Sequence, residues 1–240
     1  MHTTDMIRRS APAFGVLAVL ASAGLASATI TGHRWEVIDN TTFSGGGASG
    51  LGSNVHTFDL YLEDDGIDVL IALDSNESAL NVNDGLFITG GTFHQVELFG
   101  ADNDLPPSPA EVSFLPDLEF DSYLALGSLS EGQILTPGGV DFDVAGGTRL
   151  TAVWSPNPGG GGGSTIPTDE NGEVFVGRFS IVLDAGVDPS EAFLGGELLG
   201  ALGSGTPQIV TISNAFDAVP APGSLALFGI AGLAGTRRRR

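Results

Sequence analysis

Apolar and polar residues alternate with a period of two through the middle of this chain. In Val55-His56-Thr57-Phe58-Asp59-Leu60-Tyr61-Leu62, Phe58, Leu60 and Leu62 share one face, with Thr57, Asp59 and Tyr61 on the other. That is the spacing of a half-buried strand. Asp64-Asp65-Gly66 reads as a tight turn. Apolar sequence resumes at 67–73, so the two runs predict a hairpin with one buried face. Further strand-like runs occupy 34–38, 86–89, 93–98, 122–126, 149–154, 173–183 and 208–213. Asn171-Gly172, immediately before 173–183, is a turn signal. The weak exception to the strand pattern is 189–202. There Glu191-Ala192-Phe193-Leu194 fits a helical turn, while repeated glycines oppose a longer helix. This series of short strands with Gly/Asn/Asp turns predicts an all-β fold, a single antiparallel β-sandwich of jelly-roll-like type. The glycine-rich 45–50, proline-rich 105–109 and glycine-rich 159–163 segments read as loops that divide no second core. One domain is therefore expected over 29–217.

The pattern changes at both ends. Arg8 and Arg9 precede an apolar, small-residue stretch over 13–26, and Ala26-Ser27-Ala28 supplies an A-x-A cleavage site that leaves Thr29 first. Residues 1–28 thus read as a signal peptide helix. Ala21-Ser22-Ala23 offers an alternative site, but apolar sequence continues beyond it. Ser10, Ala11 and Pro12 fit a twin-arginine signal poorly, so general secretion machinery and signal peptidase are the expected partners.

Residues 218–240 end in three ordered parts. Pro220-Ala221-Pro222-Gly223 is an extended, protease-accessible motif, since proline removes a donor and restricts its predecessor. An uncharged apolar stretch then runs from Ser224 to Thr236, and Arg237, Arg238, Arg239 and Arg240 close the chain. As a helix, 222–236 would rise about 22 Å, shorter than a bilayer core of about 30 Å. The arginines extend its reach by snorkelling, and they fix the C-terminus on the cytoplasmic side. A plain C-terminal membrane anchor is the simpler alternative.

This tail resembles the PEP-CTERM sorting signal of Gram-negative bacteria that secrete exopolysaccharide, with a Pro-Glu-Pro-like motif, an apolar transmembrane helix and a terminal Arg cluster. The resemblance covers about 21 residues. It implies recognition near Pro220 and Pro222 by an exosortase-like membrane enzyme. Ala221 stands where the family usually has Glu, which bears on the exosortase subtype. Asp59-Leu60-Tyr61-Leu62, Asp68-Val69-Leu70 and the segment from Leu118 to Gly127 are similar to segments of secreted β-sandwich proteins that carry such tails. That likeness supports the fold class and implies no activity.

Charge sharpens the picture. Between residues 29 and 219 stand 28 acids against three basic residues, Arg34, Arg149 and Arg178, a formal net charge of −25, with no lysine or cysteine. Such a surface repels nucleic acid and anionic lipid and suits solubility outside the cell. Without disulfides, stability must come from burial.

Motifs for chemistry are absent. His33, His56 and His94 form no metal-binding spacing, and His56 and His94 are expected to point off the core face. No G-x-S-x-G elbow or phosphate-binding loop occurs. Trp35 and Trp154 would suit sugar stacking, but both lie in strand-like runs, where a core role is commoner. Calcium is the one candidate ligand, through Glu63-Asp64-Asp65, Asp74-Ser75-Asn76-Glu77, Asn81-Val82-Asn83-Asp84-Gly85 and Asp102-Asn103-Asp104. Solvated turns explain these loops equally well. No catalytic residue, metal ligand or cofactor is assigned. The expectation is a non-catalytic exported protein, transiently anchored by its tail and then held at the cell surface or in extracellular matrix with polysaccharide. A carbohydrate-binding module, calcium-assisted or not, is the alternative, and a secreted hydrolase a third reading.

Overall fold

The computed structural model describes residues 30–44, 50–65, 70–75, 85–98, 101–102, 105–128, 133–135, 138–154, 166, 168–202 and 207–219. The cleavage residues Ala26, Ala28 and Thr29, the turn at Gly66, the glycine tract 159–163 and the tail 220–240 lie outside the described residues.

Strands dominate. They are β1 (Ile30–Ile38), β2 (Val55–Asp64), β3 (Leu70–Asp74), β4 (Gly85–Thr89), β5 (Gly91–Phe93), β6 (Glu97–Leu98) and β7 (Ala101–Asp102), followed by β8 (Tyr123–Ser128), β9 (Gln133–Leu135), β10 (Gly138–Asp143), β11 (Arg149–Trp154), β12 (Glu173–Leu183), β13 (Phe193–Leu202) and β14 (Gln208–Ile212). The helices are short: α1 (Pro109–Phe114), α2 (Val144–Gly147) and single 3₁₀ turns at Pro116–Phe120, Pro189–Glu191 and Ala215–Ala218. The fold is all-β. One antiparallel sheet runs β1-β2-β12-β8-β9, with β5 also on β12; a second runs β10-β11-β3-β13-β14, with β4 bridging β11 and β13.

One apolar cluster draws on both sheets. Trp35, Phe58, Leu60, Leu62 and Phe179 of the first meet Leu70, Leu73, Leu194, Leu198 and Ile212 of the second. Trp35 is held edge-on between Phe58 and Phe179, at ring distances of 6.1 and 5.7 Å. The alternation of β2 therefore reports its core face correctly. Its other face is buried too, because Tyr61 packs with Ala125 and Phe175 in a second, smaller cluster.

Three expectations are corrected. β2 and β3 do not form a hairpin: β2 pairs with β1 and β12, β3 with β11 and β13. Two strands that each carry an apolar face can bury those faces against one another across two sheets as well as side by side. The run 93–98 is not one strand. After Phe93 the backbone N–H of Val96 donates to the Asp121 carboxylate at 2.9 Å, so β5 ends on β12 and β6 pairs elsewhere with β7. Finally, 193–202 is the strand β13, and only Pro189–Glu191 makes a helical turn. The Asn171-Gly172 turn forms as expected. Gly172 has φ +77°, and the Asp169 carboxylate accepts from the N–H groups of Asn171 and Glu173.

Candidate functional site

The first sheet carries an ordered polar belt on the face turned away from the main core. Register builds it. Glu36 of β1 lies beside Asp59 of β2, Asp59 beside Arg178 of β12, and Arg178 beside Tyr123 of β8. One row over, Arg34 lies beside Tyr61, and Tyr61 beside Phe175. Two of the three arginines between residues 29 and 219 thus meet on one sheet face.

Arg178 makes a two-pronged pair with Asp59, Nε to Oδ1 and Nη2 to Oδ2 both at 2.8 Å, and its Nη1 donates to the Glu119 carbonyl. Burial of the Asp59 side chain is nearly complete, at 3% exposure. Burial pushes the Asp59 carboxyl up and the Arg178 guanidinium pulls against it, with burial the larger effect. Burial likewise opposes the Arg178 charge, but the bonds to Asp59 and the nearby tyrosines hold it above the ordinary arginine value. Two short parallel bonds are the geometry of an ionised pair.

Arg34 is nearer solvent. Its Nε and Nη2 donate to the two Glu173 oxygens at 2.9 and 2.7 Å, its Nη1 donates to Glu36, and its guanidinium sits 4.2 Å above the Tyr61 ring. Burial pushes the phenols of Tyr61 and Tyr123 up to about 12. Both stay protonated at neutral pH. The acids of this belt are committed to guanidinium groups and its phenols are poor nucleophiles, so the belt locks four strands together. Below it, Asn40, Thr57, Ser180 and Ser122 form a buried hydrogen-bonded row across β2 and β12, with Thr57 Oγ1 2.8 Å from Ser180 Oγ.

The residues singled out for chemistry are scattered. Trp35 is a core residue whose Nε1 donates to the Ser213 carbonyl at 2.9 Å, so it offers no stacking surface. The backbone of Trp154 pairs with Leu73, and its side chain lies outside the described residues. His33 Nε2 lies 2.8 Å from Ser213 Oγ and accepts from the Ser213 N–H at 2.9 Å. With its ring nitrogen taken by a backbone donor, His33 pins β1 to the end of β14. His56 does not point off the core face. It has the parity of Phe58 and meets Phe216 edge-on at 5.6 Å, at the rim of the core. Burial lowers the basicity of His33, His56 and His94.

Compared with known proteins, the chain matches no family model, no curated protein and no solved structure.

Of the four calcium-candidate loops, 76–77, 81–84 and 103–104 lie outside the described residues. Ser75 is buried, its Oγ accepting from the Leu86 N–H and donating to the Leu150 carbonyl. Among the described residues, no group of three or more His, Asp or Glu side chains is placed to hold a metal ion. No helix among them is long and apolar enough to cross a membrane. The sorting residues Pro220, Ala221, Pro222 and Gly223 and the basic residues Arg237, Arg238, Arg239 and Arg240 lie outside the described residues.

Sequence reasoning missed the Asp59–Arg178 pair. Its signal was present: opposite charges at the centres of two otherwise apolar runs, in a region with only three basic residues.

Proposed function

We propose that this chain is a non-catalytic exported protein of the cell surface or extracellular matrix, delivered by a PEP-CTERM-like tail and associated with polysaccharide or the envelope. The observation that carries this reading is the order of the three C-terminal parts: the Pro220-Ala221-Pro222 motif, the uncharged stretch 224–236 and four terminal arginines. A cleavable leader at the other end supports it, as does an acidic, cysteine-free middle suited to life outside the cell. In this reading the two sheets are the layers of one jelly-roll-like sandwich over 29–217. The domain is what is delivered, and the tail is a temporary membrane address.

Mass spectrometry of the full chain expressed in a host with an exosortase tests the proposal. The expected product begins at Thr29 and ends near the Pro220-Ala221-Pro222 motif, and Pro220→Ala/Pro222→Ala lowers its yield. A mature product that still carries residues 225–240 would replace sorting by permanent anchoring.

A further inference from the structure

The start of β2 and the end of β12 pair side by side, Val55 with Val182 and His56 with Ile181. The residues before β2 and the turn after β12 border a cleft of about 320 Å³. Ser53, Asn54, His56 and Asp184 contribute four polar residues to its lining, beside Val187 and Pro189, while Leu183 beneath them is buried in the main core. These side chains come from segments some 127 residues apart in sequence. Among the described residues, no side-chain hydrogen bond engages any of the four, of which Ser53, Asn54 and Asp184 are exposed and His56 half-buried, whereas the Asp59–Arg178 pair and the Asn40–Ser122 row are buried and bonded. The turn behind them is fixed by backbone bonds, Asp184 N–H to the Gly90 carbonyl and Val187 N–H to the Asp184 carbonyl, so the cleft wall is built without spending these groups.

The donor set defines a ligand class. An amide, a hydroxyl and an imidazole each donate and accept, and a carboxylate accepts. Burial keeps His56 neutral at neutral pH, with one ring nitrogen of each kind. A carboxylate in the wall, on a domain of net charge −25, disfavours anions. The volume lies at the low end of small-ligand pockets, about 300–1,000 Å³.

We propose that this cleft binds one neutral, polyhydroxylated ring, a single uncharged sugar unit, free or at the end of a polysaccharide. The choice of a sugar rests on the proposed association with polysaccharide; the polarity, size and charge of the ligand come from the cleft. Asn54 and Asp184 hold adjacent hydroxyls, and Val187 and Pro189 meet the ring's C–H face.

Saturation-transfer NMR on the full-length protein in a non-sugar detergent tests this. The probes are the methyl glycosides of glucose, galactose and mannose, dextran as a neutral polymer, and glucuronic acid. Transfer to at least one methyl glycoside is expected, with none to glucuronic acid; added transfer to dextran identifies chain ends as a source. Asn54→Ala and Asp184→Ala should each weaken binding about tenfold, the loss of one charge-assisted or bidentate hydrogen bond, at an unchanged melting temperature. No transfer to any neutral probe, equal transfer to glucuronic acid, or unchanged affinity in either variant overturns the proposal. Tail processing, read by mass in a host with an exosortase, does not depend on the cleft, so either idea can fail alone.

Discussion

Arg178 and Arg34 make similar contacts in unequal surroundings, and that inequality sets what each is worth. The Arg178 side chain is 17% exposed and its partner Asp59 3%, against 40% for Arg34. Arg178→Ala strands a buried carboxylate and should cost about 3–5 kcal/mol in urea denaturation. Arg34→Ala should cost about 1 kcal/mol or less, being a solvent-screened pair. The double variant Asp59→Asn/Arg178→Met should recover much of the first loss; if it is as unstable as Arg178→Ala, the cost lies in packing and not in the stranded charge. The pair was half legible in the sequence. Charges at strand centres are visible in a string of letters, but partnership across 119 residues is a matter of register.

At the scale of the element, β13 is the informative case. Leu194, Leu198 and Leu202 recur every four residues, a spacing that a helix face and a strand face both satisfy. Glycine at 196 and 200 occupies the intervening positions of that face and erases the alternation that marks a strand. The structure gives a reason for those glycines. A Cβ on Gly196, at φ +136°, would lie 2.0 Å from the Gly85 carbonyl oxygen, and one on Gly200 would lie 2.9 Å from Ile30 Cδ1. Gly196→Ala should therefore destabilise by more than 2 kcal/mol, from backbone strain of about 1–3 kcal/mol plus the clash. A loss no larger than the strain alone would show that β4 can move away. In contrast, α1 is held by local chemistry: Ser108 accepts from the Glu111 N–H while the Glu111 carboxylate accepts from the Ser108 N–H. Ser108→Ala should cost about 1 kcal/mol and leave the sheets unaltered by circular dichroism.

Over the whole molecule, two electrostatic effects oppose each other. A net charge of −25 spread over the domain repels itself. Raising NaCl from 10 to about 500 mM should raise the melting temperature, because the Debye length falls from about 30 Å toward 4 Å. The histidines act in the other direction as pH falls. Burial holds His33, His56 and His94 below their ordinary value of 6.5. The unfolded chain then binds protons that the folded chain refuses, so their contribution is complete above pH 6.5 and is lost below it, down to the folded values. His94→Gln should accordingly lose less stability than the parent between pH 7 and 5, read as the difference between two denaturation series. A parallel pair of profiles would mean that His94 titrates freely in the fold.

The sequence by itself determined the class of fold, the core face of β2 and the Asn171-Gly172 turn. Each of these rests on neighbours in the chain: alternation and turn chemistry. Tertiary structure alone decided that β2 and β3 part into different sheets, that 193–202 is a strand, and that the outer face of β2 is buried. It also decided that Ser53, Asn54 and His56 meet Asp184 around one cleft. These outcomes depend on which apolar face finds which, and on how closely two backbones approach. Both are set by contacts between residues far apart in sequence, and no local pattern encodes them.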